Sequence, residues 1–502
     1  MKKYLFAFSL LMIFITGCKK DIEQPSGNTD LLSFAFQSNT NRSLTTANSI
    51  SCAISDTLIT GITGVMGERT TLIATFTTNG GTLAVNGVNQ VSGVTQNDFT
   101  NPVIYTLTAA DGHQKQYTVK LASFTGLPVF YLSTEAPVDS KDVYVNGTLK
   151  VDGNLQFTDG LYNGNIQIKG RGNSTWYGDK KPYKIKLDKK SGMLGMPADK
   201  EWALLANYYD KSLLRNDVAF ELSTRLGLAW TPRRRFVELV LNGEYQGNYL
   251  LTETVKVSTD RLNISQSDAA NSNDTSGGFL VENDAKRDGD YWFDTPIGLP
   301  FVVKSPETIS TVQLNYINGY VSGIEGILRN KKYSDPQFQD NIDADSFINW
   351  FLVNELMRNR DAIMYSSVYF YKDKGGKISM GPVWDFDLSS GGYTGNDPEG
   401  WYVKDSYWIG WPFDNDIAYR QKVKARWNSV KTDKIATILS YIDGIKNNLQ
   451  YSQVENFKRW DIMNMSVYDG SIIMGSYDNE VASLRSFLDR RITWMDTEIN
   501  NW

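Results

Sequence analysis

The sequence predicts a multidomain protein in which a small all-β sandwich precedes a larger α+β domain with a helical C-terminal part. Three observations carry this. Residues 31–124 are rich in Thr, Val, Ile, Asn and Gly and hold several short β-favouring runs separated by turn signals. From Pro128 to about Asn315, apolar and polar side chains alternate over strand-length stretches. Beyond Asn315, apolar residues recur mostly at helical spacing.

The chain begins with the positive Met1-Lys2-Lys3, followed by an apolar run, Tyr4 to Ile15, too short to span a bilayer. This is the pattern of a signal peptide over residues 1–17. Ile15-Thr16-Gly17-Cys18 resembles a bacterial lipobox, which implies acylation of Cys18, and buried acyl chains then anchor the protein to a membrane. Residues 18–30, polar and carrying Pro25 and Gly27, read as a flexible tether. Lys19-Lys20-Asp21 reads as a surface-export tag, so the expected location is the outer membrane or cell surface.

In residues 31–124, Thr71 to Phe76 and Tyr105 to Thr108 are strand-like, and Asp111-Gly112 joins the second run to Gln116–Leu121 as a hairpin. The segment resembles the immunoglobulin-like modules of bacterial surface lipoproteins and is expected to be a spacer. His113 lies at the hairpin tip and is expected to be solvated.

Residues 125–502 form the second expected domain. Strands are predicted at Asn165–Gly170 and at Tyr183–Leu187, where Tyr183, Ile185 and Leu187 share a face and Lys184 and Lys186 the other. Leu213–Leu226 is helix-like, and Asn242-Gly243 joins Phe236–Leu241 to Tyr245–Glu253. Asp343 or Asp345 can cap a helix with Phe347, Ile348, Phe351, Leu352 and Leu356 on one stripe. A hairpin follows over Ser367–Met380, and helical stretches cover Arg420–Leu449 and Glu480–Ile499.

Scarce residues exclude much chemistry. The chain has two cysteines, Cys18 and Cys52, and one histidine, His113, so a disulfide framework is excluded. Residues 125–502 contain neither type, which excludes Ser-His-Asp and Cys-His catalysis and His-ligated zinc there. A formal net charge of −5 argues against a nucleic-acid partner. Aromatics at 13 % fit a large core or a surface for sugars or bases, and do not decide between them.

What remains is oxygen and amine chemistry. Asn359-Arg360-Asp361 is followed, 24 residues after Asp361, by Asp385 in Trp384-Asp385-Phe386-Asp387. One aspartate after a helix can accept a hydroxyl proton, and a second after a hairpin can hold Mg²⁺ against phosphates. Two anions in an Asp-x-Asp pair repel, which makes a cation their natural third party. Arg171, Lys180, Lys181, Lys184 and Lys186 gather around a Gly-rich turn and one strand, as phosphate binding needs. Glu253, at a strand end, can position a lysine.

Gly170-Arg171-Gly172-Asn173-Ser174-Thr175-Trp176, Lys180-Lys181-Pro182-Tyr183, Asn242–Gly247 with Glu253, Asn359-Arg360-Asp361 and Pro382–Asp387 resemble, in order, the motifs of the CotH (spore-coat protein kinase-like) family. The resemblance covers roughly residues 128–400. It implies an atypical protein-kinase-like fold, ATP and Mg²⁺ as cofactors, and phosphorylation of Ser or Thr on a partner protein. It implies that Asp361 is the catalytic aspartate, Asp385 the principal Mg²⁺ ligand with Asp387 beside it, and Trp384 a stacking surface for adenine. Among the lysines, Lys181 is the expected phosphate-binding group, with Arg171 and Lys186 as supporting charge and Glu253 as the orienting carboxylate. Two departures stand out. Ser366 occupies the place where protein kinases carry a metal-binding Asn, which puts a second metal in doubt. The Leu388–Gly392 loop lacks the Trp-Gly ending of some relatives.

Other functions compete. A lipoprotein beyond the inner membrane meets little ATP, which favours a surface adhesion or binding protein on a kinase-like scaffold without turnover. A glycoside-active enzyme built on two carboxylates would use the 13 Trp as sugar platforms, but no acid/base pair at a defined spacing marks one.

Overall fold

A computed structural model of the chain describes residues 27–42, 49–66, 69–265 and 273–502. The expected signal peptide, Cys18 and most of the tether lie outside the described residues. The chain divides into two compact units, one ending at Phe124 and one spanning Thr125–Trp502.

The first unit is all β. A six-stranded sheet contains the predicted hairpin, Val103–Thr108 antiparallel to Gln114–Ala122, with Gly112 in the left-handed conformation its turn requires. A three-stranded sheet has Leu31–Phe36 at its centre. The sheets enclose Phe34, Phe36, Phe99, Tyr105 and Tyr117, with Phe36 and Phe99 edge-to-face at 4.9 Å. The predicted strand Thr71–Phe76 breaks at Ala74. Leu72–Ile73 pairs with Gln96–Asn97, while Thr75–Thr78 pairs with Leu31–Phe36. His113 is exposed at its turn, 3.0 Å from Asp111.

The second unit is mixed α/β with helices at its C-terminal end. Seven strands close a barrel: β1 (Val129–Thr134), β2 (Val145–Asp152), β3 (Asn163–Gly170), β4 (Tyr183–Met193), β5 (Met196–Leu205), β6 (Arg234–Leu241) and β7 (Glu244–Glu253). Their order is β1-β2-β3-β4-β5-β7-β6, and β6 returns parallel to β1. Closure follows from the period-two pattern. Ile166, Ile168, Ile185, Leu187, Leu204 and Leu251 point into the barrel core, and Gln167 and Lys186 point out. Helix α1 (Arg215–Leu226) is inserted between β5 and β6 and ends at the left-handed Gly227.

A second sheet has the order β9 (Trp292–Asp294), β10 (Pro300–Ser305), β8 (Phe279–Asn283), β11 (Val368–Lys372), β12 (Ile378–Met380). Between its strands run α2 (Thr311–Asn330), α3 (Pro336–Asn341) and α4 (Ala344–Met357). Asp343 is the N-cap of α4, accepting from the Ser346 amide at 3.3 Å. The expected apolar stripe of α4 is joined by buried Trp350, Val353 and Met357, so this helix is covered on all sides and serves as the unit's spine. The expected helix Arg420–Leu449 is three pieces: α6 (Ile417–Val430), a π-helical turn at Lys431–Ile435, and α7 (Ile438–Asn448). Helices α5 (Tyr407–Asn415), α8 (Ser452–Arg459) and α9 (Tyr477–Asn500) complete the unit. Among the described residues no helix is long and apolar enough to cross a membrane.

One ion pair ties the spine to the last helix. Arg491 on α9 meets Glu355 on α4, both fully buried, and Glu355 also accepts from the amides of Tyr402 and Lys404 at 3.0 and 2.7 Å. Removing one partner strands a buried charge, a loss of about 3–5 kcal/mol. Arg491→Met is therefore expected to lower the denaturant midpoint by that equivalent. A midpoint within about 1 kcal/mol of the parent would show that the pair does not hold the helices together.

Candidate active site

Three aspartates are brought together by two loops. Helix α4 ends at Arg358, which is left-handed with φ 46°. Asn359 then turns back, donating its amide to the Asn354 carbonyl at 3.0 Å and its Nδ2 to Asn354 Oδ1 at 3.1 Å. Its own Oδ1 accepts from the Asp361 amide at 3.3 Å, which fixes the start of the Asp361 loop. The second loop follows β12. Asp385 has φ 67°, a conformation that Asp tolerates better than most residues and that clusters at functional sites.

Neither loop could hold this shape alone. Asn216 on α1 accepts the Phe386 amide at 2.9 Å through its Oδ1. Arg215, one residue earlier, donates Nε to the Ser389 carbonyl at 2.8 Å and Nη2 to the Ser390 carbonyl at 3.4 Å. Arg215 is paired in turn with Asp210, and both are buried. Ser390 also donates its amide to the carbonyl of Met357, at the end of α4, at 2.8 Å.

Electrostatics mark the three carboxyls as a group. Burial, then the charge of Asp385, pushes Asp361 up to about 6, against the pull of Arg360 and Lys286. Burial, then the charges of Asp385, Asp361 and Asp210, lifts Asp387 far above the usual carboxylate range, and its carboxyl is hydrogen-bonded to Asp385. Ser367 Oγ donates to Asp385 Oδ2 at 3.4 Å. Arg171 is lowered by burial and held up by Asp385, Tyr369 and Asp387, so it is the guanidinium facing this charge.

Arg171, Thr175, Pro182, Asn207, Asn216, Trp384, Asp385 and Asp387 line a cavity of about 30 Å³. That volume suits an ion and water rather than a nucleotide. The donor chemistry fits a divalent cation: two close carboxyls joined by a hydrogen bond, with the hydroxyl of Thr175 in the same lining. Among the described residues, no group of three or more His, Cys, Asp or Glu is placed to hold a metal. A cation here would rest on Asp385 and Asp387 and fill its sphere with water or substrate oxygen.

The structure brings Asp361, Asp385, Asp387, Arg171 and Trp384 together and separates the rest of the expected set. Trp384 is only 8 % exposed, packed 5.7 Å from Phe220 and lying 5.4 Å from the Arg171 guanidinium, so its ring is not an open platform for adenine. Lys181 is committed within its own loop, donating to the Trp176 carbonyl at 2.9 Å. Lys180 is buried, bonded to the Asn248 carbonyl and to Asn456 Oδ1, and burial brings its pKa down to about 7. Lys184 pairs with Glu201 at 3.2 Å. Lys186 lines a different groove of about 620 Å³ on the outer face of the barrel, with Glu135, Asn146 and Gln167. The expected basic cluster is thus dispersed, because each lysine is claimed by a different partner. Glu253 orients no lysine. It is buried against arginines, accepting from the Arg233 amide and Nη1 at 2.9 Å each and lying 4.0 Å from Arg261.

Asp210, Arg215 and Asn216 carry no motif of their own. The one available signal is Asp210-Lys211-Ser212 ahead of a helix, a capping pattern; Asp210 does accept the Arg215 amide at 2.7 Å.

Two family models match the chain. The model described as "CotH kinase protein" matches residues 166–495, and that described as "SGBP, N-terminal" matches residues 32–121. The chain belongs to the CotH kinase family. No curated protein matches it. A crystal structure of a "putative glycoside hydrolase" from Bacteroides thetaiotaomicron is similar at 16 % identity, over 58 % of this chain and 87 % of that one, with a TM-score of 0.17. A likeness at that level carries no argument about fold or activity.

The raised Asp361 pKa has a measurable sign. Its carboxyl binds a proton more tightly in the folded protein than in the unfolded chain, from an ordinary 3.8 to about 6. Its contribution to stability is therefore lost as pH rises through that window. Without Mg²⁺, the melting temperature of Asp361→Asn is expected to gain on the parent between about pH 4 and pH 6, with Mg²⁺ shrinking the gain. Parallel curves across that range would exclude a buried, raised Asp361.

Proposed function

We propose that this protein is a Mg²⁺-dependent phosphotransferase that moves the γ-phosphoryl group of ATP to a serine or threonine hydroxyl of a partner protein. The observation that supports this most is the hydrogen-bonded Asp385–Asp387 carboxyl pair, with Asp387 buried and Asp361 raised beside it. A bound Mg²⁺ would supply charge neutralisation at the phosphates. Asp385 and Asp387 would hold it. Asp361 accepts the proton of the acceptor hydroxyl as that oxygen bonds to the γ-phosphorus and the bond to the β–γ bridging oxygen breaks, leaving ADP. A base that titrates near 6 is ionised at neutral pH and still competent to take a proton. Arg171 offsets charge on the phosphate side. Acylation at Cys18 would hold the protein at the outer membrane or cell surface, with the first unit as spacer.

A second reading, a surface adhesion or binding protein without turnover, is favoured by the small cavity and the buried Trp384. Labelled γ-phosphate separates the two. Transfer to the protein itself or to a serine-rich protein is expected with Mg²⁺, and Asp361→Asn and Asp385→Asn are each expected to lower it by about 100-fold or more. Absence of transfer, together with no Mg·ATP-induced rise in melting temperature, would leave the binding reading.

A further inference from the structure

With its lysines dispersed, the segment 171–186 contributes Arg171 as its one cation at the carboxylate site. A phosphoryl group in transit beside Asp361 needs positive charge on that side as well. The structure supplies it from β8. After Asn283 the chain makes a tight turn around Asp284, which is buried and accepts the amides of Lys286 and Asp288 at 3.1 Å each. Two bonds fasten this turn to the Asp361 loop: the Ala285 amide donates to the Tyr365 carbonyl at 2.8 Å, and Ser366 Oγ donates to Asp284 Oδ1 at 3.2 Å. The turn bearing Lys286 is therefore held against the Asp361 loop, and Lys286 is one of two cations whose charge acts on Asp361. The other, Arg360, lies over the Tyr393 ring at 5.1 Å. Two acids flanking this turn in sequence are otherwise engaged, Asp294 with Arg287 at 2.8 Å and Glu282 with Lys304 at 3.0 Å, and Asp288 is exposed. Lys286 itself is exposed, and its ammonium is at liberty to meet a substrate anion.

We propose that Lys286 is the phosphate-contacting lysine of this site, its ammonium lying between Asp361 and a non-bridging oxygen of the phosphoryl group in transit. The inference rests on the phosphotransferase reading. In the transfer, the acceptor oxygen gains the phosphorus, the bridging oxygen leaves with ADP, and the hydroxyl proton goes to Asp361. Lys286 keeps its own protons and donates hydrogen bonds throughout. Because ADP has no γ-phosphate, Lys286 contributes to turnover and not to ADP binding.

The test uses the full chain, γ-labelled Mg·ATP and a serine-rich acceptor protein, with Lys286→Met and Lys286→Arg. Lys286→Met is expected to lower kcat about 100-fold, and Lys286→Arg to recover at least a tenth of the parent rate. Both variants should keep the parent melting temperature and the shift produced by Mg·ADP. An unchanged kcat in Lys286→Met overturns the proposal, as does a change confined to the KM for the acceptor. Absence of transfer by the parent protein overturns the phosphotransferase reading itself, and the proposal with it.

Discussion

The grip of α1 on the loop after β12 is the contact on which the site depends. That loop has no ladder of its own, and its backbone groups must find partners elsewhere. Arg215 and Asn216 provide them, reaching three backbone groups between Phe386 and Ser390. The guanidinium can be buried there because Asp210 neutralises it and the Ser389 and Ser390 carbonyls take its remaining donors. Because Asp210 lies close enough to raise Asp387, the ion pair that holds the loop also sets the charge within it.

Burial then works in two directions. It gives the site a low dielectric, in which each charge acts strongly, and it makes three carboxylates unfavourable to hold without a counter-ion. Part of that penalty is offset by the raised proton affinity of Asp387 and part by Arg171. A divalent cation would relieve more. Sites of this kind sacrifice stability for function, and the buried Glu355–Arg491 pair ties α4, the helix that leads into the Asp361 loop, to α9.

Much of this was legible in the sequence where side chains obey a local period. The inward faces of β3 and β4, the Asn242-Gly243 hairpin and the Asp343 cap all follow from neighbours within a few residues. The three aspartates were legible as well, because their motifs are short and continuous. The lysines were not. Proximity in sequence placed Lys180, Lys181, Lys184 and Lys186 together, but the burial of Lys180, the Trp176 carbonyl and the pairing of Lys184 with Glu201 send them to four environments. Glu253 failed for a related reason: the arginines that claim it, Arg233 and Arg261, are set by β6–β7 pairing and by a loop, contacts that no local pattern encodes. Arg215 and Ser389 are 174 residues apart, and nothing in either segment announces the other.

Ser366 shows how a departure from a motif can be read once the contacts are known. Its position is where a protein kinase places a metal-binding amide, and a hydroxyl there is a weak ligand. Its Oγ instead donates to buried Asp284 and faces the β8 turn. Ser367, the next residue, is the one that reaches a site carboxylate, Asp385. The two serines therefore divide the labour: one ties down the turn bearing Lys286, the other steadies Asp385. A hydroxyl held on Asp284 is a weaker metal ligand than the kinase amide, so positive charge on the acceptor side of this site comes from side chains. Arg360 and Lys286 are the ones in place.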